Sequence, residues 1–586
     1  MWTRLLFVAA FLCSAGALPL SSLDLYEASI PELEWAPILS LVFDNQFSYL
    51  PELSAASCNP FINDRSRIIL FGHLPTLRVL QAYLGRIDQV NHVGPKLNAV
   101  IETNTYAIEQ ARVLDIERKT TGKRSILHGI PILLKDNIAT LAGEGMNTTA
   151  GSHALLGSIV RKEATVAAKL RKAGAIILGK TNLSEWSQAR GNIPIGWSGR
   201  GGQTTNPYFP GANPCGSSSG SGVAMAIGLA AGSLGTETDG SITCPSSFNN
   251  VVGIKPTVGL TSRAGVGPIA RSVTDAAIIL TAIAGRDGRD NFTSNAPDPA
   301  LDYTRFLDPQ SLKGKRIGVP RKFFMDTTLD IVHPSIKIEF EKALGRVKEL
   351  GGVIVDPADL PSAEEILTSR EVFTNKIQFK VALNAYIASL DHVPTNVTSV
   401  ADIIRFNDAH KELEETEGHE DQSGLILCEA TLGYNSTYHE ALRQNYLIGR
   451  DRGIDAALKD NNLDALLLPS DGHTTRPAAM AGYPIVTVPL GFHPQDTKPL
   501  PETQAPYETL YPAPGIPFGL SFLGTAYTEP SLIGFAYAYE QYTNTRLERR
   551  AYKEAIPTIQ LKDVITDVGS GHSRIVSPGL GALGVW

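Results

Sequence analysis

Cysteine is scarce in this chain: five residues in 586, at positions 13, 58, 215, 244 and 428. None forms a C-x-x-C pair and the spacings match no zinc pattern, which excludes a zinc ribbon or a thioredoxin-like redox centre. Long apolar runs are also missing. The longest internal stretches, such as Val223 to Leu234, are too short and too rich in Gly and Ala to span a bilayer. Charge of one sign is not in surplus: 52 Lys and Arg stand against 59 Asp and Glu, a formal net charge of −7. That mild acidic balance offers no basic face for nucleic acid or anionic membrane. The P-loop pattern G-x-x-x-x-G-K-[ST] and the dinucleotide pattern G-x-G-x-x-G are both absent around the Gly/Ser-rich stretch. No obvious Ser-His-Asp set, internal repeat or low-complexity tract is found.

What is present is an ordinary globular composition, 43% hydrophobic and 19% charged. The first residues pattern as a secretory leader. Arg4 supplies the positive start, Leu5 to Leu12 the apolar run and Ala15-Gly16-Ala17 the cleavage site, so residues 1–17 are expected to be removed and the protein secreted. An oxidising compartment would permit one or two disulfides among Cys58, Cys215, Cys244 and Cys428, with the pairing left open. Asn291, Asn396 and Asn435 head glycosylation sequons in polar surroundings; Asn147 and Asn182 head others that are expected to be partly buried.

Residues 18–74 show no sustained period. From Pro75 a helical pattern begins, with Leu77, Leu80, Tyr83, Leu84 and Ile87 on one face. Short strands are predicted over Leu97–Ile101, Ile130–Leu134 and Ala175–Leu178, with a helix over Thr165–Ala173. This alternation suggests an α/β core. A Gly/Ser/Asn/Pro stretch over 191–222 precedes a small-residue helix predicted at Val223–Ala231. Residues 310–465 are expected to be helical, and the acidic run Lys411 to Asp421 reads as a solvated helix face. Strand-like runs return at Ala465–Pro489 and Phe518–Leu523, before a closing helix at Ile533–Tyr542. Because the late strands return to a core begun near residue 130, the reading is one domain over 75–545 and a tail over 546–586.

The chemistry lies in Cys215-Gly-Ser-Ser-Ser-Gly-Ser-Gly222 and in Gly235-Thr-Glu-Thr-Asp-Gly-Ser241, with Ser217 and Ser241 24 positions apart, and in the upstream run His128-Gly-Ile-Pro-Ile-Leu-Leu-Lys135-Asp-Asn137. These three segments, in this order and at this spacing, resemble the amidase signature family. Further matches run through Thr148–Ser152, Leu178–Trp186, Arg200–Gln203, Val252–Thr257, Met480–Pro489 and Phe518–Leu523. The resemblance implies a single large α/β domain with a mixed central β-sheet covered by helices. It also implies hydrolysis of carboxamide bonds through a Lys135–Ser217–Ser241 triad, with a cis peptide at Ser217. The segment Thr236–Pro245 is most like the peptide amidases, which are implied to act on C-terminal peptide amides. The expected partner is therefore a small-molecule or peptide amide. No metal or organic cofactor, nucleic acid or membrane anchor is implied, and the oligomeric state is left open.

An amide is a poor electrophile, so a serine hydroxyl must be activated and the leaving amine must gain a proton. Lys135 serves as base only when neutral, and a free lysine has a pKa of about 10.4, so burial or nearby positive charge must lower it. The apolar run Ile130–Leu134 feeding Lys135 into the interior is compatible with that. The backbone N–H groups of the turn Thr238-Asp239-Gly240-Ser241 are the natural oxyanion donors. Asp239 is a candidate for substrate contact, Ser218 and Arg200 are supporting candidates, and His128 reads as a structural residue. Two departures from the family stand out. Residues 35–74 interrupt an N-terminal helical region, and Gly265-Val266 runs straight into Gly267-Pro268, where the family usually carries about ten more residues. A strand or loop near the nucleophile is thus expected to be missing, which would open or disable the site. The competing reading is a catalytically inactive, amidase-like binding protein; a lipid amide hydrolase and a component of tRNA-dependent transamidation fit less well.

Overall fold

The computed structural model describes residues 75–559 apart from 264, 326–331 and 503–508. The expected leader at 1–17, the segment 18–74 and residues 560–586 of the expected tail lie outside the described residues. An eleven-stranded mixed sheet forms the spine. In chain order its strands are β1 (Val100–Thr103), β2 (Pro131–Lys135), β3 (Ile176–Thr181), β4 (Gly232–Thr236), β5 (Val252–Lys255), β6 (Val266–Ala270), β7 (Arg316–Gly318), β8 (Val353–Val355), β9 (Ala465–Pro469), β10 (Ile485–Phe492) and β11 (Pro517–Leu523). Their spatial order is β1-β3-β2-β4-β6-β5-β10-β11-β9-β7-β8. β3, β2 and β4 run parallel, as do β9, β7 and β8, while the strands between β4 and β9 pair antiparallel. Helices cover the sheet. β2, β3, β5, β6, β9 and β11 are buried along their whole length, which is why they read as continuous apolar runs rather than alternating ones.

Sequence and structure agree on α1 (Thr76–Val90), where Leu80, Tyr83 and Ile87 are buried and Leu77 and Leu84 half-buried. They also agree on α2 (Thr165–Lys172), where Val166, Ala167 and Leu170 face inward. The small-residue helix differs: α3 covers Ser219–Ile227, four residues earlier than its predicted start. It begins inside the Gly/Ser stretch because those residues pack where no side chain fits. A Cβ on Gly220 would lie 2.2 Å from the Ala99 carbonyl oxygen, and one on Gly222 would lie 2.8 Å from that of Pro245. Gly228, at φ +69°, ends the helix.

Residues 310–465 are not purely helical, since β7 and β8 extend the central sheet there. The acidic run is not simply a solvated face either. It forms one short turn of helix, Lys411–Glu414, whose Glu414 is fully buried. Glu414 accepts from Ser152 Oγ at 2.8 Å and lies 3.2 Å from Arg190 Nη1, while Arg190 also pairs with buried Glu185 at 2.6 Å. A buried acid needs such partners, and they lie far away in sequence. From Gly265 the chain passes straight into β6, which pairs with both β4 and β5. Residues 546–559 do not hang free as a tail: Gln89 on α1 donates to Thr558 Oγ1 at 2.8 Å, and Ile559 N donates back to Gln89 Oε1 at 3.2 Å.

Candidate active site

The parallel strands β2 and β4 end side by side, with Leu134 in register with Leu234. Carboxyl ends of parallel strands are where open α/β sheets place their chemistry. Lys135, the last residue of β2, is wholly buried. Its Nζ donates to Ser217 Oγ at 2.8 Å, to Thr236 Oγ1 at 2.9 Å and to the Thr236 carbonyl at 3.2 Å. Ser217 Oγ in turn donates to Ser241 Oγ at 2.9 Å. The Gly216–Ser217 peptide bond is cis. Ser217 is fully buried, whereas Ser241 is half-buried and reaches solvent. Burial lowers the Lys135 ammonium to about 7, with Glu237 opposing the shift. Asn137 Nδ2 also donates to Thr236 Oγ1, at 3.0 Å, which fixes that hydroxyl beneath the lysine.

Ser241 stands at the foot of a turn between β4 and α4 (Thr243–Phe248). Gly240 takes φ +80°, a left-handed conformation that suits glycine. The buried Glu237 carboxylate accepts from Ile242 N at 2.6 Å and Thr243 N at 2.7 Å, holding the turn from below. Burial raises Glu237 above the ordinary carboxylate range, against the pull of Lys255. Among the described residues, the N–H groups of Thr238, Asp239, Gly240 and Ser241 meet no acceptor. Thr238 is exposed and Asp239 half-buried. Asp239 accepts from Thr475 Oγ1, and desolvation raises its carboxyl despite that bond and the nearby Arg476. Glu371, on the helix Glu371–Ala388, is pushed well up by burial and by the field of Asp239.

The other candidates separate. Ser218 N donates to the Ser241 carbonyl at 3.2 Å, and Ser218 Oγ lies 3.3 Å from both the N and O of Thr236, so it ties the two serine loops together. Arg200 is not at the serines; it pairs with Glu102 at 2.7 Å and donates to Thr149 Oγ1 at 3.1 Å. His128 is a buried structural residue, with Nε2 3.0 Å from the Leu114 carbonyl and Nδ1 accepting from Arg124 N at 3.2 Å. Asp136 does not pair with Lys135. It accepts from Gly151 N at 3.0 Å and faces Lys180 at 3.8 Å. Sequence reasoning misses Thr236 and Glu237, although both lie inside a motif that it isolates. It also misses Thr475, Arg476 and Glu371, which no local pattern marks. The Cys215–Cys244 disulfide closes the open pairing question for those two residues, and Cys428 is a buried free thiol.

A buried lysine joined through one serine to a second, solvent-reaching serine defines a site suited to nucleophilic cleavage, and comparison with known proteins gives the class. Residues 78–533 match the sequence profile of the amidase family. An Arabidopsis thaliana protein named a probable amidase is 42% identical over 492 residues, covering 81% of this chain and 88% of that one. The crystal structure of native peptide amidase from Stenotrophomonas maltophilia superposes with a TM-score of 0.74 at 41% identity, over 84% of this chain and 99% of that one. That of an amidase family protein from Bacillus anthracis superposes with a TM-score of 0.70 at 31% identity, over 82% of this chain and 89% of its own. The chain belongs to the amidase signature family. It is an amidase, a hydrolase of carbon–nitrogen bonds.

Proposed function

We propose that this amidase hydrolyses primary carboxamides, C-terminal peptide amides among them, through an acyl-enzyme on Ser241. The observation that carries the reading is the unbroken hydrogen-bond chain from Lys135 Nζ through Ser217 Oγ to Ser241 Oγ. A neutral amine has two N–H donors and one lone pair. Thr236 O and Oγ1 offer acceptors for the two donors, which leaves the lone pair facing Ser217. Hydroxyl rotors then turn so that Ser241 gives its proton to Ser217 as Ser217 gives its own to Lys135. Ser241 Oγ attacks the carbonyl carbon, and the free N–H groups of the 238–241 turn receive the oxyanion. As the C–N bond breaks, the proton on Lys135 returns through Ser217 to the leaving nitrogen and ammonia departs. Water repeats the steps on the ester and frees Ser241.

The carboxylate of Asp239, held by Thr475 beside the nucleophile, suits contact with the two N–H bonds of an unsubstituted amide. The 41% identity to a peptide amidase favours the same substrate class. Secretion through residues 1–17 belongs to this proposal, and a disulfide between Cys215 and Cys244 suits an oxidising compartment. Asn291 and Asn396 are exposed and open to glycans. The test is ammonia release from peptide amides, small aliphatic and aromatic amides and fatty amides, by the protein and its Ser241→Ala variant. Release from peptide amides that drops by about a thousandfold or more in a folded variant is the expected result. A well-folded parent protein inactive on every amide would overturn the proposal in favour of an inactive binding protein.

A further inference from the structure

The two serine loops are held together by hydrogen bonds, among them Ser217 Oγ to Ser241 Oγ at 2.9 Å, Ser218 N to the Ser241 carbonyl at 3.2 Å and the Ser218 Oγ contacts to Thr236. One further link is covalent. Cys215 lies two residues before Ser217, and Cys244 lies three residues after Ser241 on the first turn of α4. Their disulfide, with Cα atoms 5.8 Å apart, spans 29 positions and encloses α3, β4 and both serines. It closes the segment from the outside, at the two points where the chain enters and leaves the relay.

We propose that Cys215 and Cys244 are positioning residues for the serine relay: their disulfide sets the Ser217–Ser241 register and thereby the turnover rate, while contributing little to holding the fold. This rests on the reading of Ser217 and Ser241 as relay and nucleophile. For packing, the covalent link is redundant. The backbone beside the disulfide is already bridged without it, since Asn249 Nδ2 donates to the carbonyls of Pro214 and Pro245, both at 2.8 Å. Cys215 N is held by Asn213 Oδ1 at 2.7 Å, and Cys244 N donates to the Gly240 carbonyl at 2.7 Å. All nine residues of α3 are buried. The segment therefore remains packed when the covalent link is cut.

For catalysis, the relay is sensitive to small displacements. A displacement of about 1 Å between reacting groups costs about a hundredfold in rate, far more than it costs a packed core. Cys215 sits at φ +53°, in the left-handed region that a non-glycine residue leaves when it is released. Any relaxation there is passed through a single intervening residue to Ser217. Reduction by a dithiol moves two electrons and two protons onto the Sγ–Sγ bond. It yields two thiols, and the dithiol becomes its own cyclic disulfide. The enzyme is then slow wherever such reductants keep cysteines reduced, and fast outside the cell.

The test compares oxidised protein, protein reduced with dithiothreitol, and the Cys215→Ala/Cys244→Ala variant, all well below their melting temperatures. Two rates are followed: ammonia release from a peptide amide, and labelling of Ser241 by a fluorophosphonate, read by intact mass. The expected result is a fall in kcat of about tenfold or more with KM within about twofold, and a matching fall in labelling rate. The far-ultraviolet spectrum should not change, and re-oxidation should recover the reduced protein but not the variant. A lowered melting temperature with kcat and labelling unchanged overturns the proposal, because that is what a purely structural disulfide does. If the variant does not fold, the reduced wild type decides the matter. If the oxidised protein labels at Ser241 but releases no ammonia from any amide, the substrate reading fails, and the labelling ratio still decides the positioning role. An oxidised protein that neither labels nor hydrolyses overturns both.

Discussion

Lys135 and Lys180 stand on neighbouring parallel strands, each wholly buried, and they meet different surroundings. Lys180 Nζ donates to the Ile138 carbonyl at 2.7 Å and to Thr148 Oγ1 at 3.0 Å, and faces the Asp136 carboxylate at 3.8 Å. Its surroundings include an anion, and the fields of Asp136 and Glu102 hold its pKa up against burial, at about 8. Lys135 meets only hydroxyls and a carbonyl, and burial takes it to about 7. The acidic residue that follows it in sequence, Asp136, turns the other way, to Thr149, Gly151 and Lys180. Burial lowers both lysines, and the one with a carboxylate facing it is lowered less, because that charge returns part of what the ammonium loses with its hydration.

Three substitutions sharpen this contrast, in falling order of effect. Asp136→Asn removes the anion beside Lys180 and presents an amide to the N–H groups of Thr149 and Gly151. An unpaired buried charge costs about 3–5 kcal/mol, so a marked drop in melting temperature is expected by calorimetry. A melting point within about a degree of the parent would show that Lys180 is not held as an ion. Thr236→Val takes one acceptor from Lys135 and leaves Asn137 Nδ2 with Ser187 Oγ alone. The expected loss in kcat is about tenfold, or about 1.4 kcal/mol, in steady-state ammonia release. The same change on the other lysine, Thr148→Val, should reduce stability by about 1 kcal/mol and leave kcat within about twofold. Equal kinetic effects of the two threonine substitutions would erase the distinction.

Much of this is legible in the sequence, for stated physical reasons. The buried strands and α1 carry their pattern locally, as apolar runs or helical periods. Lys135, Ser217 and Ser241 stand out through their motifs, and the structure brings their side chains into one hydrogen-bonded chain. What sequence does not show is long-range. Glu414 reads as part of a solvated acidic face because its partners Arg190 and Ser152 come from more than 200 residues upstream. The start of α3 is hidden because glycine and serine carry no apolar period, and only the contact distances at Gly220 and Gly222 explain a helix there. The short segment at Gly265 reads as a lost strand or loop. In the fold, Glu237 N donates to the Gly265 carbonyl at 2.8 Å, so the chain joins β6 directly to the edge of β4.

The central claim is that Lys135 works as a neutral base. The most direct test is the pH dependence of kcat/KM for ammonia release, in the parent and in Lys135→Ala. The neutral amine is the active form, and it is populated as pH rises through the depressed pKa. The account therefore predicts activity that climbs with pH around a midpoint of about 7, with no such limb and roughly a thousandfold less activity in the variant. A parent profile that is flat from about pH 5.5 to about 8.5, or a variant that keeps both the limb and most of the rate, would contradict it.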